Sequence, residues 1–328
     1  MNKEILLIII IGFIFISFIF SIIIPFFYRL KFGQSIRSDG PRNHLIKKGT
    51  PTMGGIIIII MSIMLYIIIL YNSKEVVNIK NIILLIIPFV GYGIIGLIDD
   101  LLIIIKKKND GLKPLHKFLL ELLIGAIYYF AYLGISFNNI VNFFGVNVDF
   151  GFLYGVILVI LFSGITNATN FTDGLDGLLS VTSLTTFIGI LIYAYLVASY
   201  EVMYLCIAII VTLISFLLFN FPKASIFMGD TGSLALGGVM VSMLVELKSE
   251  ILIIFFGFIY LVEVISVMLQ VWYYKKTKGE RLLKMAPLHH HYELIGYSEY
   301  QIDLLFVMIN LLFVIFGIMF GVNVFVKV

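Results

Sequence analysis

The chain has 328 residues, of which 61% are hydrophobic and 12% charged, with a net charge of +3 and a mean hydropathy of +1.11. A soluble domain is nearer half apolar and a quarter charged, so this composition excludes an ordinary soluble protein. Long unbroken apolar runs favour membrane helices over a β-barrel, whose strands would alternate.

Apolar runs of roughly 20 residues are what a helix needs to cross the hydrocarbon core. The first covers 4–27. It is too long for a signal-peptide core, and no small-residue cleavage site follows it. Further runs cover 54–71, 82–102, 115–135, 152–170, 175–198, 201–221, 231–247, 250–273 and 301–325. The pattern predicts an all-α polytopic membrane protein with ten transmembrane helices in a single domain over 1–328. Between the fourth and fifth runs, Asn138-Asn139 and Val146–Phe150 alternate as a short hairpin does. The single cysteine, Cys206, sits within an apolar run and reads as a small packed hydrophobe.

Lysines and arginines give the orientation. With ten spans, five connections (28–53, 103–114, 171–174, 222–230 and 274–300) share one side. Together with Lys117 just inside the fourth span, that side carries 17 of the 22 basic residues. It is expected to be cytoplasmic, with both termini outside.

Four polar islands fall on that side. The first is Ser38–Gly55, where glycines, prolines, hydroxyls and cations suit phosphate oxygens. An ordinary basic loop is the plain alternative. The second is Gly96–Asp100. Two adjacent carboxylates near a helix C-terminus call for positive compensation. Mg²⁺ is the natural candidate, and a solvated end paired to Lys106 or Lys107 is the alternative. The third is Asn167–Gly177, with two amides, two carboxylates and two glycines. Asn167, Asn170 and Asp173 recur every three residues, as do Asp173 and Asp176. A continuous helix would put each pair on one face, while the Asp-Gly steps also permit a break. Ionisable groups at membrane depth usually face a cavity or a partner. The fourth is Phe227–Ser233, in which Asp230 opens the eighth span and has helix N-cap as its plain role. The last connection adds His289-His290-His291, which cannot all face one helix side. They can bind a transition metal, act as acid or base, or donate hydrogen bonds to anionic phosphate, and the absence of a nearby cysteine disfavours a soft-metal site. His44 and His116 read as loop or helix-end residues. Four such sets on one side point to metal-assisted chemistry on a pyrophosphate at the membrane surface.

Gly49–Gly55, the Asp99-Asp100 pair, Asn167–Gly177, Phe227–Ser233 and Pro287–Glu293 together resemble the phospho-N-acetylmuramoyl-pentapeptide transferases. These belong to the polyprenyl-phosphate N-acetylhexosamine-1-phosphate transferases. The resemblance runs from about residue 33 to 300 in the family's order and spacing. It implies ten transmembrane helices, a cytoplasmic active site, a homodimer and a bacterial plasma (inner) membrane location. The implied reaction moves phospho-MurNAc-pentapeptide from UDP-MurNAc-pentapeptide to undecaprenyl phosphate within the lipid bilayer. Lipid I and UMP form, Mg²⁺ is required, and no nucleic acid is involved. By motif, Asp99, Asp100, Asp230 and His289 carry over to catalysis, the three aspartates also to the metal. Asn170, Asp173 and Asp176 match the polar motif near the nucleotide. Lys117 matches the lysine after the Gly111-Leu112 pair. Lys48 and Thr52 match the basic and hydroxyl positions of the first loop, and His290 and His291 complete the histidine motif. Two positions depart from the family pattern: Ile103 stands where a lysine usually follows the second aspartate, and the first loop reads Lys47-Lys48-Gly49 where a small residue often precedes the glycine. A UDP-GlcNAc donor and a transporter with a carboxylate ion path are the rival readings. The histidine motif disfavours the first. The placement of the acids away from the bilayer midplane disfavours the second.

Overall fold

The computed structural model describes residues 3–30, 49–106, 111–136, 138–143 and 145–325. Its long helices are α1 (Lys3–Arg29), α2 (Gly54–Asn72), α3 (Ile79–Lys106), α4 (Pro114–Ile135), α5 (Leu153–Thr172), α6 (Leu178–Leu196), α7 (Tyr200–Asn220) and α8 (Gly229–Glu246). They are followed by the short α9 (Ile253–Phe256), α10 (Phe258–Thr277), the short α11 (Leu288–Leu294) and α12 (Glu299–Phe325). The chain is an all-α polytopic membrane protein. Among the described residues, nine helices are long and apolar enough to span a bilayer. A long helix overlaps each of the ten expected runs, and the one outside that set of nine is α8.

The reason lies in what α8 touches. From Thr231 to Val245 every residue is buried. It packs most extensively on α3, then on α5 and α2. A helix walled in by protein does not need a lipid-facing coat, and membrane helix contacts favour small residues. Gly232, Gly237 and Gly238 meet Gly55 on α2, Thr166 on α5 and Tyr92 on α3, respectively, with too little room for a side chain. At the other extreme, α1 lies at the edge of the bundle, with Ile10, Ile14 and Phe18 at least half exposed.

Alternation of direction brings the C-termini of α1, α3, α5, α7 and α10 to the same end as the N-termini of α2, α4, α6, α8 and α12. At the opposite end the expected hairpin forms from β1 (Ile140–Phe143) and β2 (Val146–Asp149), antiparallel with Val141 opposite Val148.

Two boundaries differ from expectation. The ninth run, 250–273, is not one helix. A 3₁₀ turn (Glu250–Leu252) and α9 precede a break at Gly257, and α10 then continues to Thr277. A Cβ at position 257 would lie 2.7 Å from the Ile253 carbonyl oxygen, so the tight break requires glycine. The third run is extended at both ends, to Ile79 and Lys106.

Candidate active site

The site assembles where these helix ends meet. Backbone hydrogen bonds join the first and fourth polar islands. Phe227 donates to the Pro51 carbonyl (2.8 Å), Gly54 to Phe227 (3.0 Å) and Gly55 to Met228 (2.9 Å). This ladder fixes Thr52 over the start of α8. Thr52 is buried and its Oγ1 has no hydrogen-bond partner.

The two aspartates of α3 are both buried and do different things. Asp100 accepts the Asp230 N–H at Oδ1 (3.2 Å), and the Thr231 N–H (3.0 Å) and hydroxyl (2.7 Å) at Oδ2. It therefore caps α8 from another helix, satisfying N–H groups that a helix start leaves free and meeting the positive end of the dipole. The N-cap role read for Asp230 is thus a correction: the cap position is Met228, which makes no side-chain cap bond. Caps are read from adjacent sequence, and this one comes from 130 residues away. Nor are the paired aspartates a solvated helix end. Asp99 turns the other way, accepting the Leu112 N–H at 2.6 Å. Its carboxylate also reaches that of Asp230. Gly111 permits this, since a Cβ there would lie 2.5 Å from Asp99 Oδ1.

Asp230, freed from capping, faces Lys117. Its Oδ2 lies 2.5 Å from Lys117 Nζ, with the side chains 26% and 17% exposed. Asn170, near the end of α5, bonds the same carboxylate and also donates to Ser233 Oγ at 2.9 Å. Asn167 does not join it. Its amide donates to Glu121 Oε2 on α4 at 2.5 Å, as does the Ser163 hydroxyl at 3.0 Å. Three-residue steps slip about 60° each around a helix of 3.6 residues per turn, enough to separate the two amides.

The Asp-Gly steps do break the chain, between Thr172 and Leu178. Asp173 occupies the break and accepts the Gly229 N–H. Enclosure holds its carboxyl well above the usual carboxylate range. The Asp230, Asp100 and Asp176 charges add to that, and the Gly229 bond opposes it. Asp176 is buried and accepts the Ala224 N–H at 2.9 Å, tying this loop to the one before α8.

The three histidines point in different directions, as expected. His289 is fully buried against Glu263 of α10, His290 Nδ1 lies 2.7 Å from Glu293, and His291 Nδ1 accepts the Lys284 N–H at 3.2 Å. A Cβ on Gly174 would collide with the His289 ring, so that ring abuts the break between α5 and α6. Lys48 lies outside the described residues. Glu121 and Glu263 were not singled out from sequence. Each is a lone acid inside an apolar run, and that alone was the available signal.

Residues 82–248 match the family described as glycosyl transferase family 4. Residues 47–59 match signature 1 of the phospho-N-acetylmuramoyl-pentapeptide-transferases. Over 317 residues the chain is 42% identical to the phospho-N-acetylmuramoyl-pentapeptide-transferase of Clostridium perfringens, covering 95% of this chain and 97% of that one. This chain belongs to that family. The enzymes of the same name from Geobacillus kaustophilus and Bacillus subtilis are 40% and 39% identical, over 92% and 97% of this chain and 95% and 98% of theirs. The family's members thus share the full span that contains every site element described above.

Among the described residues no three His, Cys, Asp or Glu side chains form a preformed cage. The chemistry nonetheless fits Mg²⁺, which takes one or two carboxylates and fills its shell with phosphate oxygens and water. Asp99 and Asp230 supply hard oxygens side by side, and the partnerless Thr52 Oγ1 lies near the same helix start.

Proposed function

We propose that this chain transfers phospho-MurNAc-pentapeptide from UDP-MurNAc-pentapeptide to undecaprenyl phosphate, yielding lipid I and UMP for peptidoglycan synthesis. The observation that carries the reading is the meeting of Asp99, Asp230, Lys117 and Asn170 at one end of the helix bundle, in a chain of this family. The basic residues gathered at that end favour a cytoplasmic site in a bacterial plasma membrane, ten spans and both termini outside. A homodimer belongs to the same reading.

An oxygen of the lipid phosphate attacks the β-phosphorus of the donor. The bond from that phosphorus to the bridging oxygen breaks, and UMP leaves with the oxygen. Asp230 and Asp99 would hold Mg²⁺, which when bound offsets repulsion between the two anionic substrates and stabilises the departing phosphate. Lys117 holds Asp230 in place and adds positive charge beside the diphosphate. Asp100 fixes the turn that carries Asp230. The second pKa of a phosphate monoester is about 6, so the attacking group needs little help from a base at neutral pH. Asp99 would take a proton from an acceptor that arrives protonated. By the family resemblance, Asn170, Asp173 and Asp176 would serve the nucleotide, and Lys48, Thr52, His290 and His291 the phosphates and sugar. His289 would serve the diphosphate.

The test is UMP release by the purified protein with undecaprenyl phosphate and Mg²⁺, using UDP-MurNAc-pentapeptide and UDP-GlcNAc as separate donors. Release with the first alone is expected. Release with the second alone would move the chain to the sister transferases, and release with neither would overturn the reading.

A further inference from the structure

Glu263 lies near the start of α10 and is fully buried. A carboxylate so placed is costly unless its oxygens are satisfied. A single residue satisfies both. His289 brings its Nδ1 to 3.0 Å from Oε2 and donates its backbone N–H to Oε1 at 3.2 Å. His289 is itself fully buried, and its other ring nitrogen, Nε2, has no hydrogen-bond partner. That nitrogen abuts Gly174, between Asp173 and Asp176.

This asymmetry carries the argument. A buried polar atom left without a partner is costly, so an unpartnered ring nitrogen beside the 173–177 loop calls for an explanation. Here the residue is held at two points by one carboxylate, through its backbone N–H and Nδ1, while the buried Nε2 has no partner and lies against Gly174 of the 173–177 loop. An ionised carboxylate only accepts, so the proton of the neutral ring sits on Nδ1. The His290–Glu293 contact differs: its partners are three residues apart on one short helix.

We propose that Glu263 is a positioning residue for the transfer reaction: it fixes His289 in the Nδ1–H form and presents Nε2 to the diphosphate of the nucleotide-sugar donor. The inference rests on the reading in which His289 meets the donor. Glu263 itself touches no substrate. The arrangement follows the general rule that a histidine's working nitrogen is set by the hydrogen bond of the other.

The experiment uses the full-length protein in lipid nanodiscs, with ¹⁵N-labelled histidine. In Glu263→Gln the side-chain amide can donate to Nδ1, and the His289 resonances should move to the Nε2–H pattern. kcat should fall about 10–100-fold, with the KM for the donor within about threefold of wild type. The Glu263→Gln/His289→Asn double variant should be no slower than His289→Asn alone, as for two residues acting as one unit. Wild-type kcat in Glu263→Gln, or losses that multiply in the double variant, would overturn the proposal. Should Glu263→Gln not fold, Glu263→Asp carries the test. An Nδ1–H ring with kcat above that of His289→Asn supports the proposal, and a changed tautomer with unchanged kcat overturns it. Wild-type turnover in His289→Asn would instead remove His289 from the reaction, a failure of the functional reading that is distinct from a failure of the role given to Glu263.

Discussion

Lys117 Nζ and Asp230 Oδ2 lie 2.5 Å apart across 113 residues of sequence, joining α4 to the first turn of α8. Both side chains are mostly but not fully enclosed, so the pair falls between a surface ion pair and a buried one. Lys117→Met and Asp230→Asn should each cost about 1–3 kcal/mol, and the double variant less than their sum. Thermal unfolding in detergent measures this. All three should lose at least ~100-fold in UMP release while remaining folded.

The close contacts of α8 predict opposite outcomes for two glycine-to-alanine changes. A Cβ at Gly96 would meet the Asp230 carbonyl and the Thr231 nitrogen, backbone that cannot step aside. Gly96→Ala should cost at least ~2 kcal/mol and most of the activity. Gly164 lies in the middle of α5, exposed, with nothing within 4 Å of an added Cβ. Gly164→Ala should be neutral or stabilising by up to ~1 kcal/mol. Melting temperatures of the two variants decide the point.

Asp173 gives a pH signature. Its folded carboxyl holds a proton more tightly than the unfolded one, which titrates near ~4. The folded state is therefore favoured at low pH, and that contribution is lost as pH rises from ~4 through the raised value. In protein free of metal and substrate, Asp173→Asn should raise the melting temperature at pH 7–8 by a few degrees. It should also flatten the dependence on pH above ~4. Turnover should be lost in the same variant.

The metal reading predicts that chelation stops UMP release and added Mg²⁺ restores it. Asp99→Asn should raise the Mg²⁺ concentration for half-maximal rate at least ~10-fold. A variant with unchanged metal dependence would remove Asp99 from the site.

Ile103 is half-buried on α3, three residues beyond Asp100. Ile103→Lys restores the residue usual in the family and should retain turnover within about threefold of wild type, since the change is one the family's architecture accommodates. A folded but inactive protein would mean that the end of α3 has been rebuilt here.

Much of this arrangement was legible in the sequence. Membrane cost makes every carboxylate at the end of an apolar run conspicuous, so Asp99, Asp100, Asp173 and Asp230 stood out together. The two-residue alternation of 146–150 announced the hairpin. What stayed hidden depends on contacts between distant segments. Nothing near Asp100 says that it caps a helix opening at Gly229. Asn167 looks equivalent to Asn170 until the helix phase turns it toward Glu121. Glu121 and Glu263 are single acids diluted within spans whose average remains apolar. The break at Gly257 was masked for the same reason: hydropathy does not record backbone direction.

The first turn of α8 is committed several times over. Gly229 takes a left-handed φ of 74°, Asp230 and Thr231 donate to Asp100, and Gly232 lies against Gly55. An antibacterial compound gripping this turn would meet a surface with almost no freedom to mutate. Escape would have to arise at positions whose side chains can change without dislodging a neighbouring backbone.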